Sequence, residues 1–458
     1  MTIAAIAQGT GSIAIVGAKP RPTGEVMKDK PAGPTLRQRS WTTTKLAARL
    51  GMAAAGKAIG LELPQSNEQA VARALALVNQ FDGMKGLMLK FGQMASYLNH
   101  SLPPEAQKIL AQLQSAATAM PYSSVASQIE TGLGAPVATL FEHFDEDAFA
   151  AASIGQVHRA QLQGVPVAVK VQYPGIQDLI EHDLKNVNLF AQVLLMGSKM
   201  DSTTLAAELR QRLLEECNYE LEAQRQHAVG AVWNQIEGRV VPKIWFDHSS
   251  PEVLTSTFEN GTGFADFCRD ADEATRRRAS LILFEAIFEG IFRHGFFNGD
   301  SHPGNFLFRA SGDVIFLDFG CLRTFKRDFL QHWKDMALAI LNDDRKRFQE
   351  AHTAMGFVAN PRKFDWDFQW SMMQFLYEPY KSAKPYRYHK QHVAENFDRL
   401  ILKNRNRFSM RLPPNQLFVN RLQWGLYSVL ADLNVEAAYS DIFRAAVEAP
   451  IEPIPGLR

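Results

Sequence analysis

From Asn298 to Gly320 the chain reads Asn-Gly-Asp-Ser-His-Pro-Gly-Asn, then a short hairpin pattern, then Leu-Asp-Phe-Gly. Asp300 and Asn305 are five positions apart, and Asp318 lies thirteen beyond Asn305. That is the order and spacing of a phosphoryl-transfer site: a catalytic-loop carboxylate, a metal-binding amide and a metal-binding carboxylate. Phosphate charge has to be neutralised through bound magnesium, and hard oxygen ligands from Asp and Asn suit that ion. A separate carboxylate, Asp300, orients the attacking oxygen and accepts its proton. The spacing also constrains the fold. Phe306-Leu307-Phe308 and Val314-Ile315-Phe316-Leu317 flank a Ser311-Gly312-Asp313 turn, which reads as a β-hairpin. A hairpin carries Asn305 and Asp318 to the same end of its strands, where both can grip one ion.

A second piece lies upstream. Val165 to Tyr173 alternates as a strand and contains Val-Ala-Val-Lys, ending at Lys170. An ammonium on a buried strand is costly unless paired. A solvent-facing lysine on an edge strand, which Pro166 permits, is the bland alternative; the downstream triad decides against it. In the place of a glycine-rich phosphate loop stands Phe149-Ala150-Ala151-Ala152-Ser153-Ile154-Gly155-Gln156-Val157. Aligned on Val157, its three glycine positions become Ala150, Ala152 and Gly155. Alanine restricts the backbone freedom that glycine gives, so this loop is expected to be stiffer; an alanine-rich turn of no consequence is the other reading. Leu205, Leu209, Leu213, Cys217 and Leu221 recur every four residues, an apolar helical stripe. Asp201, Ser202 and Thr203 can cap its start, and Glu216 and Glu222 border the stripe.

These residues carry a family resemblance. The chain resembles the UbiB/AarF-type atypical kinase-like family, which is associated with ubiquinone biosynthesis. The shared strings are Ala-Ala-Ala-Ser-Ile-Gly-Gln-Val at Ala150–Val157, Val-Ala-Val-Lys-Val-Gln-Tyr-Pro-Gly at Val167–Gly175, Asp-x-His-Pro-Gly-Asn at Asp300–Asn305, and Lys-x-Gly-Gln at Lys90–Gln93. The resemblance runs from about Asn79 to the last helices. It implies that Lys90 and Gln93 lie in a helical extension that packs over the site, puts Lys90 into the nucleotide pocket and restrains protein phosphorylation. Glu216, Cys217 and Asn218 fall where the family has Glu-x-Asp, a motif that engages the extension; Asn218 replaces the aspartate, which weakens an ion pair with Lys90. Glu222 matches the helix glutamate that pairs the strand lysine, fifty-two positions after Lys170, so an insertion lies between. The string Asn298-Gly299-Asp300-Ser301 lacks the basic residue that reads an activation-loop phosphate, so phosphorylation-dependent switching of the common kind is not expected. His294 and His302 read as loop packing rather than as metal ligands.

Bulk properties fit. The chain of 458 residues has 49 basic and 48 acidic side chains, a balance that argues against nucleic acid as the main partner. Cys217, Cys268 and Cys321 show no metal spacing and suggest a reduced compartment. No apolar run reaches the ~18 residues of a transmembrane helix. Thr10 to Pro34 is rich in Gly, Pro and Lys and reads as disordered; Lys45 to Leu61 reads as a helix packing on the extension rather than lying on a membrane. Phe329–Leu341, Phe364–Tyr377 and Asn415–Leu433 carry helical periodicity, and Trp366, Trp370, Phe375 and Tyr377 read as core rather than as a ligand site.

The expected fold is α+β: a protein-kinase-like bilobal fold with an N-terminal helical extension and a helix-rich C-terminal lobe. The expected divisions are 1–40 disordered, 41–139 extension, 140–257 N-lobe with insertion and 258–458 C-lobe. The expected activity is magnesium-dependent ATP hydrolysis or phosphoryl transfer, with Asp300, Lys170 and Glu222 catalytic and Asn305 and Asp318 on the metal. ATP or ADP would lie against Ala150, Ala151, Ala152, Ser153, Gly155, Gln156, Val157 and Lys170; Lys90, Gln93, Glu216 and Asn218 would regulate. The resemblance implies a role in ubiquinone or isoprenoid-lipid metabolism. The expected partners are nucleotide, a lipid or quinone-precursor ligand, a membrane surface and a second copy as a homodimer. The expected location is cytoplasmic and peripheral at a membrane, with no transmembrane segment. The alternatives are a regulatory pseudokinase and a small-molecule kinase of the aminoglycoside-phosphotransferase type, against which Lys90–Gln93 argues.

Overall fold

The structure is a computed structural model that describes residues 120–152, 154–178, 214–299, 302–391, 395, 399, 403–406, 409–410 and 416–457. All of these belong to one of the two units into which the chain divides. In chain order the strands that position the site are His143–Phe144 (β1), Ala150–Ala152 (β2), Gly155–Leu162 (β3), Val165–Gln172 (β4), Arg239–Val240 (β5), Val253–Thr257 (β6), Thr262–Gly263 (β7), Phe296–Asn298 (β8), Phe306–Phe308 (β9), Val314–Phe316 (β10) and Leu322–Thr324 (β11).

The first lobe is an antiparallel sheet in the order β1-β3-β4-β6, with β2 on β3. Alternation along β4 decides which face is core. Val167, Val169 and Val171 are fully buried, whereas Ala168 and Lys170 are half-buried. The valines pack with Val125 and Ile129 of helix α1, Tyr122–Leu133, so α1 covers one face and Lys170 is left on the other. Each buried valine or isoleucine contributes roughly 1.5–3 kcal/mol of hydrophobic burial.

Helix α2, Tyr219–Trp233, follows a break in the chain's helical pattern. The four-residue stripe through Leu213, Cys217 and Leu221 predicts one continuous helix; the structure instead ends a helical turn at Glu216 and starts α2 at Tyr219. Asn218 causes the break: its backbone is extended and its side chain accepts from Leu221 N at 3.0 Å, an N-cap. Gln172 holds the break in place by donating to the carbonyls of Cys217 at 2.7 Å and Pro251 at 3.0 Å.

The second lobe is helical. Its axis is α3, Glu273–Phe292, capped by Asp272 on Thr275 N at 2.7 Å. Phe284, Phe288 and Phe292 recur every four residues and meet Tyr380, Tyr439, Phe443 and Trp333. The predicted helices appear as Arg327–Leu341 (α4), Trp366–Leu376 (α5) and Gln416–Leu433 (α6). The fold is thus α+β, with a sheet lobe followed by a helical lobe.

Candidate active site

The predicted hairpin forms. Phe306 pairs with Phe316, Leu307 with Ile315 and Phe308 with Val314. Gly312 closes its turn at φ +85°, and a Cβ there would lie 2.8 Å from the Thr275 carbonyl oxygen. At the open end Leu317 N donates to the Asn305 carbonyl at 3.0 Å, so Asn305 and Asp318 stand at the same end of the two strands. Asn305 is buried; Asp318 is half-buried and accepts from Gly320 N at 2.9 Å. The Asp318 carbonyl in turn accepts from Asn298 Nδ2 at 2.6 Å. Asn298, noticed in the sequence only as a departure, therefore ties the strand before Asp300 to the loop that carries Asp318. The same tie is repeated in the pairing of β8 with β11, where Asn298 faces Leu322.

Lys170 and Glu222 meet. The ammonium donates to both carboxylate oxygens, at 3.1 and 3.0 Å. It also sits 4.5 Å above the ring of Tyr219, a cation–π contact. Burial alone would lower the Lys170 pKa, but the Glu222 carboxylate, with Tyr219 and Asp318, outweighs it and raises the group, so the ammonium stays protonated. Burial pushes the Glu222 carboxyl up; Lys170 opposes that shift, while Asp318 and Glu216 add to it. Glu222 and Asp318 are close: a Cβ placed on Gly320 would be 3.5 Å from an oxygen of each. Tyr219 is fully buried and its hydroxyl has no hydrogen-bond partner among the described residues. Nothing in the sequence singled it out.

The alanine segment takes the form of a hairpin. Ala150 pairs with Val157, Ala151 with Gln156 and Ala152 with Gly155, and Val157 in turn pairs with Lys170. By register Ala150, Ala152 and Val157 share the face of Lys170, and Ala151 and Gln156 share the other. Two expectations change here. Gln156 was read as nucleotide-binding, but its amide accepts from Met120 N at 2.8 Å and meets His158 Nε2 at 2.9 Å on the α1 side of the sheet. Gly155 is glycine for a packing reason: a Cβ would lie 2.1 Å from the Val171 carbonyl oxygen of the paired strand.

The residues read as regulatory also find local tasks. Glu216 Oε1 accepts from Cys321 Sγ at 3.2 Å, and Asn218 is the helix cap described above. His302 accepts from Gly304 N at 3.1 Å and caps the turn before Asn305; His294 Nδ1 meets the Glu452 carbonyl at 2.8 Å. Both act in packing, as expected. Ser153, Asp300, Lys90 and Gln93 lie outside the described residues.

The donor set suits magnesium. Asn305 and Asp318 offer hard oxygens at the same end of the hairpin, and the Glu222 carboxylate holds the Lys170 ammonium, on which the Asp318 charge also acts. No group of three or more His, Cys, Asp or Glu side chains able to hold a metal occurs among the described residues. A magnesium ion bound with a nucleotide does not require one, because phosphate oxygens and water fill most of its shell. Asn305 and Asp318 would hold such an ion, which would supply positive charge against the phosphates.

The ABC1 atypical kinase-like domain matches residues 112–352, more than half of the chain. The chain belongs to the ABC1 atypical kinase-like family. Among ABC1 relatives, it is 31% identical over 326 residues to atypical kinase COQ8, mitochondrial, of Saccharomyces cerevisiae, covering 68% of this chain and 64% of that one. It is 28% identical over 370 residues to probable protein kinase UbiB of Aeromonas hydrophila, covering 78% of this chain and 66% of that one. The chain thus spans less than two thirds of the length of either relative. The solved complex of Rv3197 with erythromycin from Mycobacterium tuberculosis matches with a TM-score of 0.63 at 24% identity, over 84% of this chain and 97% of that one. That likeness shows the fold alone. Among the described residues no helix is long and apolar enough to cross a membrane.

Proposed function

We propose that this ABC1-family chain is a magnesium-dependent nucleotide-binding protein that hydrolyses ATP, or transfers its terminal phosphoryl group, in support of ubiquinone or isoprenoid-lipid metabolism. The observation that carries this reading is the bidentate Lys170–Glu222 pair beside Asp318, with Asn305 at the same hairpin end. Lys170 binds phosphate oxygens while Glu222 fixes its direction. Asn305 and Asp318 hold magnesium, and Asp300 orients the attacking oxygen and takes its proton. The metabolic role rests on relatives named COQ8 and UbiB. A lipid or quinone-precursor ligand, a membrane surface and a second copy of the chain are the partners this reading assigns.

One observation favours a second reading, a regulatory pseudokinase. The side chains of Ala150 and Ala152 share the face of Lys170, where glycines would leave more room over a nucleotide. Turnover separates the two. Purified protein should bind ATP more tightly with magnesium, and Asp318→Asn should abolish that gain; unchanged magnesium dependence in the variant would sink the metal assignment. ATP turnover stimulated by quinone-precursor-like phenols with anionic liposomes supports the lipid-coupled enzyme. Binding without turnover under every condition supports the pseudokinase.

A further inference from the structure

The residues directly after the metal loop are fastened to one stretch of chain, Glu215 to Arg225. Arg225, buried on α2, donates from Nη1 to the Gly320 carbonyl at 2.8 Å and from Nη2 to Glu215 Oε2 at 3.3 Å. The same carboxylate oxygen accepts from Arg323 Nη1 on β11. That Nη1 also donates to the Leu322 carbonyl at 2.8 Å. Between them Cys321 Sγ donates to Glu216 Oε1 at 3.2 Å. The charged side chains are well shielded: Arg225 is 7% exposed, Arg323 14% and Glu215 18%.

One anion gripped by two guanidiniums is the arrangement a phosphate takes when phosphorylation orders a loop. Here the anion is a carboxylate that the chain always carries. The position before Asp300, where a basic residue would read such a phosphate, is Gly299. We propose that Glu215, Arg225 and Arg323 form a built-in clamp that holds the metal loop in its magnesium-binding position without phosphorylation. All three are positioning residues, which act on Asp318 through the Gly320 carbonyl and β11. The inference rests on the nucleotide reading above.

Groups that orient a metal ligand typically account for about ten- to a hundredfold in metal affinity. Because removing one partner of a shielded charge pair is strongly destabilising, the test uses conservative changes in the full chain: Glu215→Gln, Glu215→Asp, Arg225→Lys and Arg323→Lys. Binding of a fluorescent ATP analogue is followed as magnesium is titrated. Glu215→Gln and Arg225→Lys should raise the magnesium concentration for half effect by at least about tenfold, with analogue binding in EDTA unchanged. Glu215→Asp should recover part of the loss. Amide exchange should rise from Phe319 to Thr324 and stay constant along α3. Should Glu215→Gln not fold, Arg323→Lys, which keeps a cation at the same place, carries both readouts. An unshifted magnesium midpoint in the folded variants overturns the clamp, as does exchange that rises equally in α3. If the wild type responds to magnesium, Asp318→Asn does not and the clamp variants behave as wild type, the clamp alone falls. If the wild type shows no magnesium effect, the nucleotide reading falls and the clamp with it.

Discussion

The ion pair of Lys170 and Glu222 is where residue chemistry and fold meet. Glu222 is 4% exposed and Lys170 18%, so each charge depends on the other. Removing one partner of such a pair costs roughly 3–5 kcal/mol, because the other charge is left buried and alone. Lys170→Met and Glu222→Gln should each show a loss of that order in urea denaturation. Their combination should fall short of the sum by about 1–3 kcal/mol, the coupling expected of residues in contact. Strict additivity would mean that the pair does not interact in solution. The partnership could be read from the sequence only through the family motif. The two residues are fifty-two positions apart, and no periodicity links a strand to a helix across that distance. Tyr219, whose ring lies under the ammonium, and Asn298, which supports Asp318, were illegible for the same reason: their partners are set by tertiary contact and not by spacing.

At the scale of elements, the legible parts are those with local rules. The hairpin after Asn305, the alternating strand that carries Lys170 and the helices α4 to α6 follow from period and turn chemistry within a dozen or so residues. The helix break at Asn218 was missed because the apolar stripe continues through it; a four-residue recurrence cannot see a cap. The cap is testable. Asn218→Ala should cost about 1 kcal/mol, read as a lower urea midpoint, whereas Asn218→Asp, which still accepts from Leu221 N, should be nearly neutral. A large effect of the Asp variant would assign Asn218 to something other than capping. Gly155 carries the complementary lesson. The sequence presented it as the remnant of a phosphate loop, but its place against the Val171 carbonyl makes it a strand-pairing residue. Gly155→Ala forces β3 and β4 apart and should cost about 1–3 kcal/mol, as overpacking does. A variant of wild-type stability would contradict that packing role.

For the whole molecule, the helical lobe is the platform that the site stands on, and an aromatic cluster in it carries an acid-sensitive weak point. His352 is 2% exposed, and neither ring nitrogen has a hydrogen-bond partner among the described residues. It lies stacked between Phe348 at 5.3 Å and Phe357 at 4.8 Å, with Phe364 and Trp366 around it. Burial lowers its pKa from 6.5 to about 4. In the unfolded chain the ring takes a proton as pH falls through 6.5, while the folded chain resists until about 4. Proton binding therefore favours unfolding throughout that window, and stability present above pH 6.5 is lost progressively on the way down. That difference corresponds to roughly 3 kcal/mol. Urea unfolding of the wild type at pH 7 and pH 4.5 will include carboxylate contributions, so the comparison that isolates the histidine is with His352→Phe. That variant keeps an aromatic ring in the stack and has no proton to take up. Its loss of stability between the two pH values should be smaller than the wild type's by about 2–3 kcal/mol. Equal losses would mean that the ring is hydrated or partnered in solution, and that this part of the lobe is looser than its packing implies.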